Sequence, residues 1–158
     1  MDNLKIVPFN ADYKSAFEYL NREWIEEYFV MEEEDLKTLQ NPESYVMERG
    51  GEIFFAVLDG DVVGTAALIK KSKGVYELAK MAVAKNLRGL GIGKKLLERC
   101  IDYSKEREAT EIFLITNDSL KPALSLYLSC GFVLNEQNDD NRYDRGNTKM
   151  NLMLGDKI

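Results

Sequence analysis

The segment from Gly74 to Leu97 has the sequence GVYELAKMAVAKNLRGLGIGKKLL, and it decides how this chain folds. Its first part is rich in β-branched and apolar residues, which predicts a strand over residues 75–83. From Ile92 onward the apolar residues recur with helical spacing, which predicts a helix that continues to about residue 107. Between the strand and the helix lies RGLGIG, residues 88–93, which we name the glycine corner.

The glycine corner has the properties of an anion site. Glycines at alternate positions remove side chains where a backbone turns tightly or where a ligand must approach closely. The first amides of the following helix have no partner inside the helix and carry partial positive charge. Phosphate is the usual occupant of such a site. A tight turn that binds nothing remains the alternative.

Three phosphate-binding loops can be compared with the corner. A P-loop would need glycine at position 88 and a hydroxyl residue at 95, but the chain has Arg88 and Lys95, which leaves magnesium without its ligand. The dinucleotide fingerprint would need glycine at position 94, where Lys94 stands. The pattern Arg/Gln-x-x-Gly-x-Gly/Ala is matched in full. In this the corner resembles the acetyl-CoA pyrophosphate loop of the GNAT superfamily of N-acetyltransferases.

Composition limits the classes of protein to which the chain can belong. Its 158 residues suit one domain, residues 1–158, and 45% hydrophobic with 30% charged residues is ordinary for a globular protein. No apolar run approaches the roughly 20 residues that span a bilayer, and the first residues lack the apolar core of a signal peptide. A net charge of −6 argues against nucleic-acid binding, and two cysteines favour reduced thiols in the cytoplasm.

The chain contains no histidine. This excludes catalysis by Ser-His-Asp or Cys-His arrangements and disfavours a transition-metal site. Any acid or base must therefore be a carboxylate, tyrosine, lysine, cysteine or water.

The remaining patterns predict the other elements of the fold. Asp59-Gly60 is a strong hairpin signal, so residues 53–83 are expected to form an antiparallel meander. Asn10 or Asp12 is expected to cap the first helix, and the conformation of residues 45–47 stays open. The other predicted strands cover residues 4–9, 111–116, 132–136 and 148–154, and the other predicted helices cover about 12–28, 32–40 and 117–130.

A second motif strengthens the resemblance. Residues 123–132, ALSLYLSCGF, are similar to the GNAT signature Ala-x-x-x-Tyr-x-x-x-Gly-Phe. The predicted order of elements is also that of the GNAT fold. The resemblance implies an α/β (α+β) domain with a mixed, mostly antiparallel, twisted sheet of six to seven strands and about four helices.

The resemblance also implies acetyl-CoA as co-substrate and no metal. The backbone of the central strand would bind the pantetheine arm, with the amide of Met81 as oxyanion donor, although ordinary core packing explains the side chains there equally well. The residues expected to bind the cofactor are Met81, Ala82, Val83, Arg88, Gly89, Leu90, Gly91, Ile92, Gly93, Lys94, Asn117 and Tyr127.

Two residues are expected to carry the proton transfers by the same resemblance. Glu77 lies eleven positions before Arg88, where family members have a general base that acts through water; a carboxylate on the solvent face is the alternative. Tyr127 matches the tyrosine that protonates the departing thiolate. The alternative is an aromatic side chain that only packs on the inner face of its helix. Asn117 is expected either to contact CoA or to cap a helix.

The acceptor is expected to be the amine of a small molecule or a peptide, with no nucleic acid or membrane as partner, and the family allows a homodimer. Trp24 and Tyr28 are candidates for the acceptor groove, unless they belong only to the helix core. The acidic residues 32–35 favour a cationic amine unless they only form a solvated helix face, whereas Arg142 and Arg145 favour an acceptor carboxylate. A non-catalytic acyl-CoA-binding or regulatory module on the same fold is the alternative function.

Overall fold

The computed structural model describes residues 3–135 and 145–155. In this part of the chain, seven strands form one sheet and five α-helices pack against it. The strands are β1 (Leu4–Val7), β2 (Glu52–Leu58), β3 (Asp61–Ser72), β4 (Val75–Val83), β5 (Glu111–Thr116), β6 (Val133–Asn135) and β7 (Thr148–Met153). The helices are α1 (Lys14–Tyr28), α2 (Glu33–Gln40), α3 (Pro42–Tyr45), α4 (Ile92–Glu106) and α5 (Lys121–Ser129).

The sheet confirms the predicted fold class. Its strand order is β1-β2-β3-β4-β5-β7-β6, and β4 with β5 is the parallel pair in an otherwise antiparallel sheet. The short helix α3 brings the number of helices to five rather than about four, because Pro42 starts an extra helical turn that ends at Tyr45. Of the residues 45–47 left open, Tyr45 thus ends α3 and Met47 begins a 3-10 turn over Met47–Arg49.

Local sequence signals account for the turns. Asp59 and Gly60 both have positive φ, 50° and 87°, as a two-residue hairpin between twisted strands requires. Neither Asn10 nor Asp12 caps α1 itself, because the N-cap of α1 is Tyr13 and its side chain makes no capping hydrogen bond. Asn10 instead caps the preceding turn, since its side chain accepts a hydrogen bond from the Asp12 amide at 2.8 Å. This cap begins a 3-10 turn over Ala11–Tyr13 that leads into α1.

Hydrophobic side chains fill both faces of the sheet. On one face, Leu96 and Leu97 of α4 belong to a buried cluster with Phe54 and Leu68 of the meander. On the other face, a second buried cluster joins α1 and α2 to β2 and β3, through Phe17, Leu39, Ile53, Phe55 and Ala67. The meander is therefore covered on both sides, which holds β4 firmly at the centre.

The strands β4 and β5 separate along their length. They pair over three positions, from Val75 with Glu111 to Glu77 with Phe113. Beyond this point β5 continues its pairing with β7 up to Thr116, while β4 continues its pairing with β3 up to Val83. The facing edges of β4 and β5 thus part after Glu77, and the gap between them positions the candidate site.

A bulge interrupts β4 beside this gap. Thr65 of β3 pairs with Ala82, but Ala67 pairs with Ala79, so β4 contains one extra residue between the two pairs. Lys80 lies in this interval with a φ of 53°, in the left-handed region that a lysine rarely adopts. Bulges of this kind redirect side chains and backbone groups at the edges of sites.

Candidate active site

A cavity of about 360 Å³ lies where β4, the start of α4 and α5 meet. Most of the residues predicted to bind the cofactor lie around it. Those that line it are Met81, Ala82, Val83, Arg88, Gly89, Gly91, Ile92, Gly93, Lys94 and Tyr127, together with Trp24, Leu87, Pro122, Ala123 and Leu126. Leu90 and Asn117, also predicted as cofactor-binding, are not among its lining residues, and Leu90 is exposed.

The glycine corner is a turn that places helix amides at the cavity. Gly89 and Gly91 have φ values of 82° and 89°, which glycine adopts without strain. Gly91 precedes α4 without a side-chain cap, and the amide of Lys95 bonds back to its carbonyl at 3.1 Å. The amides of residues 92–94 precede this first helical bond and carry the partial positive charge of a helix start.

The corner leaves space that a phosphate group would fill. A Cβ atom built on Gly93 would come no closer than 3.7 Å to Leu126 and 3.9 Å to Val83, whose side chains line the same cavity. Protein packing therefore does not require glycine here, and a side chain would take up cavity volume instead. With the free amides and the exposed Lys94, these residues fit the pyrophosphate of CoA.

Arg88 connects the corner to α1. Its Nε donates to the carbonyl of Val83 at 3.0 Å, and its Nη1 donates to Glu27 at 2.7 Å. Its Nη2 is buried and has no hydrogen-bond partner within the described chain. The hydrogen bond from Arg88 holds the pKa of Glu27 below its ordinary value. Arg88 thus fixes the end of β4 as well as adding positive charge.

Tyr127 is buried between two cavities. Its ring packs against Phe132 at 6.0 Å between centroids, and the residue lines both the large cavity and a smaller one beside β5. Burial raises the pKa of Tyr127 to about 12. A thiol has a pKa near 8.5, so complete proton transfer from this phenol to a thiolate is uphill by roughly 3 to 4 pKa units. The hydroxyl is better suited to donate a hydrogen bond to the sulfur.

Glu77 lies at the last paired position before β4 and β5 separate. It is 3% exposed, so the alternative of a carboxylate on the solvent face is wrong. Lys71 of β3 forms an ion pair with it, with Nζ 3.7 Å from Oε1. Glu77 does not line the large cavity or the two smaller ones on the β5 side. Its role as a base stays a prediction.

Two smaller cavities, of about 70 and 80 Å³, lie on the β5 side. Trp24 lines both of them and the large cavity as well, so its ring stands at the junction of the three. Tyr28 packs on Trp24 with 5.4 Å between ring centroids but is not a lining residue, and it is half exposed. Of the two acceptor candidates, Trp24 is the better placed.

Asn117 has a different role from helix capping. The residue before α5 is Leu120, and no side chain caps this helix. The Asn117 side chain accepts from the amide of Ser119 at 2.9 Å and donates to the carbonyl of Arg145 at 2.8 Å. It therefore links the turn after β5 to the segment before β7, beside the cavity of about 70 Å³. A CoA contact of Asn117 stays a prediction.

A buried ion cluster lies at the acceptor side. The Asp35 carboxylate, 0% exposed, receives Lys80 Nζ at 2.6 Å and the Arg145 guanidinium at 2.6 and 2.9 Å. Arg145 also reaches Glu32 at 3.0 Å. The acidic residues 32–35 were expected to favour a cationic acceptor and Arg145 an acidic one. Glu32, Asp35 and Arg145 instead bind one another in one internal network. Arg142 lies outside the described residues.

Sequence patterns did not identify Lys80, and they gave Asp35 and Glu27 only as acidic residues, without the pairing of Asp35 with Lys80 and Arg145 or of Glu27 with Arg88. One signal was present for Lys80, because strict alternation from Tyr76 and Leu78 would place it in the core, where a lysine indicates a bulge. Among the described residues, no group of three or more acidic, cysteine or histidine side chains is arranged to hold a metal ion. No helix in this part of the chain is long and apolar enough to cross a membrane.

The model of the acetyltransferase (GNAT) family matches residues 14–132 of this chain. The chain belongs to the GNAT family. The N-acetylaspartate synthetase of Xenopus tropicalis is 38% identical over 92 residues, which are 57% of this chain and 34% of that relative. Streptothricin acetyltransferase A of Bacillus subtilis is 28% identical over 116 residues, 73% of this chain and 65% of that relative. The match thus spans less than two thirds of these curated relatives.

Solved structures agree with this membership. A GNAT acetyltransferase from Staphylococcus aureus Mu50 superposes with a TM-score of 0.87 at 28% identity, covering 96% of this chain and 99% of that one. A Salmonella typhimurium protein solved with its cofactor acetyl-CoA has a TM-score of 0.80 at 19% identity, with 99% and 96% coverage. At that identity the second likeness concerns the fold alone.

Proposed function

We propose that this GNAT protein is an acetyl-CoA-dependent N-acetyltransferase that acylates a primary amine by direct attack in a ternary complex. The observation that carries the proposal is the gap between β4 and β5. The large cavity runs from the glycine corner along β4 to Tyr127, and Trp24 lines both this cavity and the acceptor-side cavities, whose walls include residues of β5. A cofactor and an acceptor would meet near Met81 and Tyr127, which line the large cavity and one of the smaller ones.

The corner and β4 would hold the cofactor. The amides of residues 92–94 would bind the pyrophosphate, with Lys94 adding positive charge. The backbone of residues 81–83 would pair with the pantetheine amides in the manner of a neighbouring strand. Acetyl-CoA supplies an activated thioester when bound. The Met81 amide would donate to the thioester oxygen as negative charge develops on it.

Glu77 and Tyr127 would act on the ammonium proton of the acceptor and on the leaving sulfur, respectively. Glu77 would accept the proton of the acceptor ammonium through water, because its side chain does not line the cavities directly. Tyr127 would donate a hydrogen bond to the leaving sulfur, in keeping with its raised pKa of about 12. The CoA thiolate would take its proton from the attacking nitrogen, which loses one as the amide forms. No metal takes part in this mechanism.

The acceptor is proposed to be a small amine or the amine of a peptide. The acceptor-side cavities are small, and aromatic and aliphatic side chains such as Trp24, Phe29 and Ile115 make up much of their walls. An amino acid as acceptor would match the name N-acetylaspartate synthetase, and streptothricin as acceptor would match the name streptothricin acetyltransferase. Either amine would need to present only its reactive end to the gap.

Release of free CoA thiol tests the proposal. Purified protein is incubated with acetyl-CoA and a panel of polyamines, amino acids and lysine peptides, and the products are identified by mass spectrometry. Amine-dependent thiol release with an acetylated product supports the enzyme and names the acceptor class. Acetyl-CoA binding without thiol release on any amine would favour the non-catalytic module instead.

A further inference from the structure

Asp35 joins three segments that are distant in sequence. It lies in the first turn of α2, where it accepts a hydrogen bond from the amide of Glu32 at 2.9 Å as half of a capping box. The same carboxylate binds Lys80 in the β4 bulge and Arg145 before β7. The side chains of Asp35, Lys80 and Arg145 are 0%, 6% and 16% exposed, so the cluster is largely shielded from water.

Stability alone does not explain such a cluster. Removing charges from water costs free energy that their attraction only partly returns, and apolar residues of similar size often stabilise a fold as well. A buried ion pair does fix the geometry of the groups that it joins. Asp35 is therefore expected to fix the geometry of a group at the site.

The geometry in question is that of the peptide between Lys80 and Met81. Lys80 has a φ of 53°, which is strained for a residue with a side chain. The direction of the Met81 amide follows from the backbone angles of Lys80, because the carbonyl of Lys80 and the N–H of Met81 belong to one rigid peptide plane. Met81 lines the large cavity and the acceptor-side cavity next to Tyr127. Arg145 lines the other acceptor-side cavity.

We infer that Asp35 is a positioning residue for the transfer: it holds Lys80 in the conformation that aims the Met81 amide at the thioester oxygen, and it holds Arg145 against the acceptor. Asp35 touches neither substrate and acts through these two partners. The inference rests on the proposed function, in which the Met81 amide is the oxyanion donor. It adds a residue of α2 to a site whose cavities are lined by α1, β4, β5, α4 and α5.

Two variants and a matched control test this role. Asp35→Asn removes the charge and keeps the shape. If that variant does not fold, Asp35→Asn combined with Lys80→Met removes one charge of each sign and relieves the imbalance. Glu34→Gln is the control, because Glu34 lies on the same helix, is partly exposed and forms an ion pair with the exposed Lys37 at 3.2 Å. Titration of each preparation with acetyl-CoA in a calorimeter gives the number of binding sites per chain, and hence the fraction of the protein that is folded.

The first readout is the infrared carbonyl stretch of bound acetyl-CoA labelled with ¹³C in the acetyl group. In the wild-type protein and Glu34→Gln, hydrogen bonding by the Met81 amide is expected to lower this frequency. In the Asp35 variants the frequency is expected to return towards that of free acetyl-CoA. An unchanged frequency in a folded Asp35 variant would overturn the inference, whether or not any amine is acetylated.

The second readout is turnover per folded site. We expect kcat to fall about ten- to a hundred-fold in the Asp35 variants, as for a misplaced catalytic group, with acetyl-CoA affinity changed less than about three-fold. If the wild-type protein lowers the carbonyl frequency, the folded Asp35 variants do not, and no amine is acetylated, the proposed function is contradicted while the role of Asp35 in orienting the Met81 amide is supported. Wild-type turnover in a folded Asp35 variant would contradict the role of Asp35 alone.

Discussion

Arg145 donates two hydrogen bonds to the Asp35 carboxylate, from Nη1 at 2.9 Å and from Nη2 at 2.6 Å. Burial opposes ionisation of Asp35, but the hydrogen bonds and charges of Arg145 and Lys80 outweigh it and hold the pKa of Asp35 below its ordinary value. Since the Arg145 guanidinium forms an ion pair with the buried Asp35 carboxylate, its charge is balanced inside the protein. The charge of Arg145 therefore does not by itself favour an acidic acceptor.

Replacement of Arg145 by methionine is expected to lower kcat about ten-fold for every amine that the wild-type protein acetylates, because the acceptor-side segment loses its anchor. Steady-state kinetics with one amino acid and one polyamine check this. A rise in KM confined to amino acids would instead mean that Arg145 binds an acceptor carboxylate. Lys37→Met is the matched control, since Lys37 is an exposed cation that bonds Glu34.

Two glycines of the corner are expected to respond differently to alanine. Gly93→Ala adds a methyl group that no protein atom opposes within 3.7 Å, so the fold keeps its stability or gains up to about 1 kcal/mol of helix propensity. The methyl group occupies cavity volume, so affinity for acetyl-CoA is expected to fall at least ten-fold. Gly91→Ala, at a φ of 89°, is expected to lose about 1–2 kcal/mol of stability as well.

Thermal unfolding and calorimetric titration separate these two effects. Unchanged acetyl-CoA affinity in Gly93→Ala would mean that the corner is only a turn, which is the alternative that the sequence left open.

Tyr127→Phe is expected to slow transfer by about ten- to a hundred-fold while acetyl-CoA affinity stays nearly the same, since only a hydrogen bond to the leaving sulfur is lost. The raised pKa, about 12, means that the hydroxyl keeps its proton below that pH and loses it above. The wild-type rate should therefore show no decline caused by Tyr127 up to about pH 10. A large loss of affinity in Tyr127→Phe would contradict the donor role.

Glu77→Gln tests the predicted base against a purely structural role. If Glu77 accepts the ammonium proton, kcat/KM in the variant is expected to fall about a hundred-fold or more, and the shape of its pH–rate profile is expected to change. Lys71→Met is the control, because it breaks the same ion pair and leaves the carboxylate in place. Identical pH profiles in the wild type and Glu77→Gln would remove Glu77 from the mechanism, provided that Tm drops by a similar amount in Glu77→Gln and Lys71→Met.

Features set by neighbouring residues were predictable from the sequence. The hairpin at Asp59-Gly60 and the glycine corner both need positive φ, and glycine at fixed positions reveals that need. The strand and helix on either side of the corner follow from apolar periodicity, and their bounds agree with the prediction within about one residue. The cavity could be anticipated because the corner follows directly from the central strand.

Contacts between distant residues were not predictable in this way. Asp35 and Arg145 are 110 positions apart, and Glu27 and Arg88 are 61 apart, so no local pattern links the members of either pair. The helix-cap interpretation of Asn117 was wrong because its side chain bonds Ser119 and the carbonyl of Arg145 instead. Such ion pairs and tethers depend on which segments the sheet brings together.

Titration of the wild-type protein with acetyl-CoA by calorimetry tests the central claim most directly, namely that the glycine corner and the β4 edge form a cofactor site. The account predicts one site per chain with micromolar affinity, weakened by Gly93→Ala and unaffected by Glu34→Gln. Absence of binding by a folded wild-type protein would contradict the account, because the cavity would then have no cofactor to hold.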